Sequence, residues 1–268
     1  MEADKVIPFK TFDSGKILNL HVFNPSNHTP AGNRPAIVFF FGGSWVGGTP
    51  RQFYPQARAF ADHGLVAVSA EYRTGITPFK CVEDGKSAIR WVRQHAGDLG
   101  LDPDRIVAAG GSAGGHVAMC AGMIEGHEDK GEDLSIRSLP NAMIVYNPVV
   151  DTSETGFGMM QVGAARKTEI SPCHHVRKGI APTLIFHGTS DATVPFENVE
   201  RFTMLMKKAG NVCMLVPFDK RDHAFFNSSA FLPANRDDDF NNTMEESATF
   251  LTTLGFLKPI EQRPKSGA

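Results

Sequence analysis

In the segment RIVAAGGSAGGHVAMCAG, Ser112 stands between Gly110 and Gly114 in the spacing Gly-x-Ser-x-Gly, with an apolar strand-like run before it and a helix-like run after it. A serine on such a turn is forced into a strained backbone with its hydroxyl projecting. The residues two before and two after must be small if strand and helix are to approach. Gly110 and Gly114 meet that demand, so Ser112 is the candidate nucleophile. A serine hydroxyl is a weak nucleophile at neutral pH, so it needs a base, and the base needs an orienting acid. On a strand-turn-helix serine the partners follow in the order serine, acid, histidine. Of ten histidines only His223 lies beyond the candidate acid Asp191, in the loop DKRDHAFF. Asp191 itself follows His187 in HGTSDATVP, where Gly188 permits a tight exit from an apolar run. Asp151, beyond the preceding apolar run, is the competing acid; spacing and context favour Asp191.

Acyl transfer also needs donors aimed at the developing oxyanion, each commonly worth about 3 to 4 kcal/mol. In FFFGGSWVGG the amides of Gly42 and Gly43 can fold toward a point above the nucleophile, because no side chain blocks the approach. The amide of Ala113 completes the set. Around these residues, Trp45 could floor an aromatic or sugar site or anchor the loop by packing. His116, one helical turn after Ser112, could border the pocket or be packed within the fold. Phe157, Met159 and Met160 could form an adaptable acyl wall or cover the core. Cys173-His174-His175 has no further ligand cluster at site-like spacing, which predicts no metal site.

The elements that must position these groups follow from the apolar pattern. Val6 to Phe9 and Ile17 to Phe23 read as an edge hairpin turned at Asp13-Ser14-Gly15. Pro35 to Phe41, Val66 to Ala70, Arg105 to Gly110, Asn141 to Asn147, Pro182 to His187 and Cys213 to Phe218 are short and apolar on both faces, as interior strands are. Between them lie amphipathic stretches at Phe53 to His63, Val82 to His95, Ala113 to Ile124, Asn198 to Lys208 and Met244 to Leu254. The alternation predicts an α/β fold, a doubly wound sheet of about eight mostly parallel strands flanked by helices, with ligands bound beyond the strands' carboxyl ends. Residues 151–172, after the sixth strand, have no clear period and form a candidate lid or acyl-pocket insertion. The 268 residues read as one domain, 1–268.

Composition narrows the function. Lys plus Arg is 27 against 29 for Asp plus Glu, a net charge of −2, which leaves no broad cationic field for nucleic acid. The longest unbroken apolar run is Ala36 to Phe41, far short of the roughly 20 residues of a membrane span. The amino-terminal MEADKVIPFKTF shows no leader, so a cytoplasmic location, or secretion after removal of a leader, is expected. Four dispersed cysteines, Cys81, Cys120, Cys173 and Cys213, read as reduced thiols.

FFFGGSW, AEYR at Ala70 to Arg73, VEDGKSAIRWVRQHA, LDPDRIVAAGGSAGGHVA, SPCHHVRKG, HGTSDATVP and DHAFF together resemble the serine α/β-hydrolases. The likeness is to the hormone-sensitive-lipase-like and the feruloyl- or acetyl-xylan-type carboxylesterases, over nearly the whole chain. It implies the α/β-hydrolase fold, the triad Ser112, Asp191 and His223, and an oxyanion hole from Gly42, Gly43 and Ala113. One departure is Phe41, where relatives carry a histidine that helps to brace the glycine loop. The implied activity is hydrolysis of short or aromatic acyl esters through an acyl-enzyme, with acetyl or feruloyl groups on carbohydrate such as xylan. No metal or organic cofactor is required, and the expected partner is a small-molecule or carbohydrate ester. The alternatives are an amide-cleaving relative, either an arylformamidase or a serine peptidase, and a non-catalytic hydrolase-fold ligand receptor.

Overall fold

The computed structural model describes residues 1–258. Eight strands form one sheet: β1 (Lys5–Thr11), β2 (Ile17–Phe23), β3 (Arg34–Phe40), β4 (Val66–Ala70), β5 (Leu101–Gly111), β6 (Ala142–Tyr146), β7 (Thr183–Gly188) and β8 (Cys213–Phe218). Their order across the sheet is β1-β2-β4-β3-β5-β6-β7-β8. The pairs β1·β2 and β2·β4 are antiparallel and every other pair is parallel. Strands β4, β6 and β7 are buried along their whole length, as their two-faced apolar sequences predict, because helices cover both sides of the sheet. The edge strand β8 is partly exposed.

The helices are α1 (Tyr54–Asp62), preceded by a 3-10 turn at Pro50–Phe53, then α2 (Pro78–Gln94), α3 (Ala113–Met123), α4 (Met159–Val162), α5 (Phe196–Lys208) and α6 (Asp237–Thr253). Helix α5 begins two residues earlier than its apolar periodicity predicts, and two others begin earlier by a turn or more. Helix α2 starts at Pro78, whose fixed φ and missing N–H suit the first turn. Helix α6 starts at Asp237, where Asp237, Asp238 and Asp239 complement the positive end of the helix dipole without contributing any apolar signal. Residues 151–172, aperiodic in sequence, hold α4 and 3-10 turns at Ala164–Arg166 and Pro172–His174.

The parallel register brings the strands' carboxyl ends level. Phe40 pairs with Gly110, Gly111 with Tyr146, Tyr146 with Phe186, and Gly188 with Phe218. Beneath these ends the rings of Phe53, Tyr146 and Phe226 pack against one another with centroids 5.1 to 5.9 Å apart, Phe226 stacked on both of the others, and Phe186 stacks on Tyr146 at 5.3 Å. Each buried ring contributes about 1.5 to 3 kcal/mol, so burial of these rings holds the platform under the loops. All four cysteines are unpaired. Among the described residues, no helix is long and apolar enough to cross a membrane.

Candidate active site

Ser112 joins β5 directly to α3 with φ 55° and ψ −123°, a left-handed conformation that side-chain-bearing residues rarely adopt. Its N–H donates to Tyr146 O at 2.9 Å, which ties the turn to the neighbouring strand. The flanking glycines are there for lack of space. A Cβ on Gly110 would lie 2.6 Å from Gly114 backbone and from Phe40 O, and one on Gly114 would collide with the Phe40 and Phe41 carbonyls. A strand and a helix that approach this closely admit no side chain between them.

Asp191 follows β7 and is fixed by the backbone. Its Oδ1 accepts the N–H groups of Thr193 and Val194, each at 2.9 Å. Its Oδ2 accepts from His223 Nδ1 at 2.7 Å and from Asn147 Nδ2, and it shares His187 Nε2, 3.1 Å away, with the carbonyl of Val194 at 2.9 Å. Burial alone would push the carboxyl up; the hydrogen bonds from His187, His223 and Asn147 outweigh it and hold the group well below the usual carboxylate range. Asp191 is therefore an anion at neutral pH. With Nδ1–H given to Asp191, the His223 ring is set in one tautomer with Nε2 free to take a proton.

The His223 loop rests on the serine turn. A Cβ on Gly111 would lie 2.5 Å from the Phe226 ring, and Gln56 Nε2 donates to Phe226 O at 3.2 Å. No hydrogen bond joins Ser112 Oγ to His223 among the described residues. Such bonds are often long before substrate arrives.

The glycine turn differs from expectation at one atom. Gly42 N–H donates to Gln52 Oε1 at 2.7 Å, so this amide is engaged within the protein and is removed from the set of oxyanion donors. The chain then turns through three positive φ values, 127° at Gly43, 54° at Ser44 and 63° at Trp45. Among the described residues the N–H groups of Gly43, Ser44 and Ala113 have no protein acceptor; Ala113 opens α3, where the first amides lack helical partners.

Trp45 and His116 do not line a pocket. Both are fully buried, and their rings meet edge to face at 5.1 Å. His116 Nε2 donates to Ile170 O at 2.6 Å, and burial lowers its pKa to about 4, so it is a neutral packing residue. Phe157, half-buried, stacks on Trp45 at 6.0 Å and brings the 151–172 segment against the glycine turn. Met160 is 92% exposed and forms no wall. Asp151 stands apart from His223: it accepts from Ser153 N–H at 2.8 Å, from Thr155 Oγ1 at 2.9 Å and from Arg201. The contact with His223 belongs to Asp191 instead. His174 and His175 bond to Ser171 Oγ and Thr168 O; among the described residues no group of three or more His, Cys, Asp or Glu is arranged to hold a metal.

Three site groups escaped the sequence reading. Asn147, buried with φ 44°, carries one weak signal, since Asn tolerates that conformation and precedes a proline. Gln52 and Asn227 carry none, because their contact joins residues at opposite ends of the chain.

This sheet, with a serine on the strand-to-helix turn after β5 and an aspartate–histidine pair beyond β7 and β8, defines the α/β-hydrolase fold. Residues 20–156 match the family described as BD-FAE, and residues 142–248 match the prolyl oligopeptidase family. The chain belongs to the BD-FAE family. Esterase 2 of Thermogutta terrifontis, in its structure phosphoramylated by tabun, is 46% identical to it, over 95% of this chain and 96% of that one, with a TM-score of 0.89. The propionate-bound structure of the same esterase gives 46% identity over 95% and 96% of the two chains and a TM-score of 0.88. Among curated relatives, a probable isoprenylcysteine alpha-carbonyl methylesterase of Arabidopsis thaliana is 24% identical over 76% of this chain and 48% of its own length. The chain spans about half the length of the curated relatives it matches.

Proposed function

We propose that this protein hydrolyses carboxylic esters through a Ser112 acyl-enzyme, and that the acyl group is short or aromatic and borne on a small alcohol or a carbohydrate such as xylan. The observation that carries the reading is the strained Ser112 turn together with the 2.7 Å bond from His223 Nδ1 to Asp191. His223 Nε2 takes the Ser112 proton as Oγ attacks the ester carbonyl. The oxyanion is met by the amides of Gly43 and Ala113, with Ser44 beside them, while Gly42 braces the turn. His223⁺, stabilised by Asp191, gives its proton to the leaving alcohol. Water, deprotonated by the same ring, then attacks the acyl carbonyl, and Ser112 leaves with the proton returned to it.

The short-acyl part of the reading is supported by the Thermogutta esterase, which binds propionate and butyrate in its structures. Residues 151–172, packed on Trp45 through Phe157, wall the acyl side. A rate survey tests the proposal: p-nitrophenyl esters from acetate to palmitate, acetylated xylo-oligosaccharides and methyl ferulate, with Ser112→Ala as control. The expected result is a steep fall beyond butyrate and a loss of about 10⁴-fold or more in Ser112→Ala. Turnover of formylkynurenine or of peptides without any ester turnover would move the activity to amide cleavage. The match of residues 142–248 to the prolyl oligopeptidase family makes peptides the amide substrate to include. A Ser112→Ala enzyme as active as the parent would falsify the serine mechanism.

A further inference from the structure

The peptide unit between Phe41 and Gly42 is held by side chains at both of its polar ends. Its carbonyl oxygen accepts from the Tyr72 hydroxyl at 2.6 Å, and its N–H donates to Gln52 Oε1 at 2.7 Å. Both partners are themselves anchored. Tyr72 is buried with its ring stacked on Phe41 at 4.3 Å, and Gln52 Nε2 donates to Asn227 Oδ1 at 3.0 Å. Asn227 is buried and donates through Nδ2 to the carbonyl of Ala224, the residue after His223, at 2.9 Å. One glutamine side chain thus spans from the turn that carries the oxyanion amides to the loop that carries the base.

A peptide plane is rigid, so fixing both ends of the Phe41–Gly42 unit fixes the direction in which the chain enters the turn. Gly43 follows at φ 127°, a conformation in which glycine has no side chain to restore the angle if the entry swings. Oxyanion donors act through preorganisation, and a displacement of about 1 Å can cost about 100-fold. The clamp also lies next to the nucleophile: a Cβ built on Gly42 would sit 3.3 Å from Ser112 Cβ and 3.5 Å from Gln52 Oε1. Phe41 itself offers no polar side-chain atom for bracing. We infer that Gln52 is a positioning residue for the reaction. By accepting the Gly42 amide and donating to Asn227, it holds the oxyanion turn and the His223 loop in one geometry over Ser112. The inference rests on the esterase reading above, and Gln52 does not touch the substrate.

The test measures kcat and KM on p-nitrophenyl butyrate, and Tm, for the parent protein, Gln52→Met, Gln52→Glu and Tyr72→Phe. Gln52→Met keeps the side-chain volume and removes both hydrogen bonds. Its kcat should fall about 10- to 100-fold with KM changed by less than about threefold. Gln52→Glu keeps an acceptor for Gly42, and the Asn227 amide can turn to donate to it, so kcat should return to within about fivefold of the parent. Tyr72→Phe releases the other end of the same peptide and should lower kcat with KM unchanged; it carries the test if Gln52→Met does not fold. Parent-like kcat in a folded Gln52→Met, or in Tyr72→Phe should that be the only readable variant, overturns the inference. So does an equal loss of kcat and Tm in both Gln52 variants, which is the mark of a packing role. An inactive parent protein overturns the esterase reading first, and the positioning role with it.

Discussion

Asp151 and Asp191 stand beyond the carboxyl ends of adjacent strands, β6 and β7, both are buried, and both carboxyls are held below their ordinary range. Their partners differ in kind. Asp191 is aimed by two backbone amides and gives its remaining oxygen to side chains that include an imidazole, His223, whose far nitrogen can exchange a proton. Asp151 gives its oxygens to the Ser153 amide, the hydroxyls of Thr155 and Ser171 and the guanidinium of Arg201. None of these partners loses or gains a proton near neutrality. Burial and a depressed pKa therefore do not mark a catalytic carboxylate; a titratable partner that faces the pocket does. Asp191 holds the imidazole of His223, and Asp151 ties the start of the 151–172 segment to α5.

The largest expected effect tests the Asp191 side. Asp191→Asn keeps the shape but can donate to His223 Nδ1, which favours the wrong tautomer. The kcat on p-nitrophenyl butyrate should fall about 10⁴-fold while Tm changes little. A comparable loss of kcat in Asp151→Asn would erase the distinction between the two carboxylates.

Asp151→Asn should instead be a stability variant. Kinetic constants should stay within about tenfold of the parent, because Asp151 contacts neither Ser112 nor His223. The folded-state pKa of Asp151 is lowered from 3.8 to about 2: burial opposes ionisation, but the bonds from Ser153 and Thr155 and the charge of Arg201 outweigh it. A folded pKa below the unfolded one means that the carboxylate adds stability above about pH 4 and that this addition is lost as pH falls through 2. Its size is about 2 kcal/mol. Urea unfolding at several pH values checks the sign. The gap between parent and Asp151→Asn should be about 2 kcal/mol at pH 6 and should close on acidification; a gap that widened toward pH 2 would contradict the assignment.

How much of this was readable in the chain follows from the same contrast. Ser112, Gly110 and Gly114 were legible because a tight strand-to-helix turn makes demands on adjacent residues. Asp191 and His223 were legible because chain order and strand ends restrict the choice. The interior strands were legible because two-faced burial leaves short, unbroken apolar runs, and β1 and β2 because a turn separates two stretches of branched and aromatic residues; β8, read as an interior strand, is a partly exposed edge. The start of α6 was not, since Asp237 to Asp239 stabilise a helix through charge rather than through an apolar face. Trp45 and His116 suit a ligand pocket and a packed interior equally well by residue type, and only the fold shows that they are enclosed. Gly42 was assigned to the oxyanion because its freedom was visible while its partner, Gln52, was not; that partner belongs to a chain of contacts linking residue 52 to residue 227.

The smallest expected effects lie in the 151–172 segment and sharpen what Asp151 is holding in place. Phe157→Ala removes the ring stacked on Trp45 and should change the ratio of butyrate to acetate turnover severalfold, because the oxyanion turn loses the support of that ring. Met160→Ala should leave the ratio unchanged. Its side chain is 92% exposed, and to contact an acyl chain it would have to move in and be buried. Burial of a methionine against substrate contributes about 2 kcal/mol, so a segment that closed over the acyl group would show up as a change of about 30-fold in selectivity on its removal. An unchanged ratio in Met160→Ala beside a changed one in Phe157→Ala identifies a fixed wall hung on Trp45. A large change in both identifies a lid, and Asp151 would then be holding the base of a moving part.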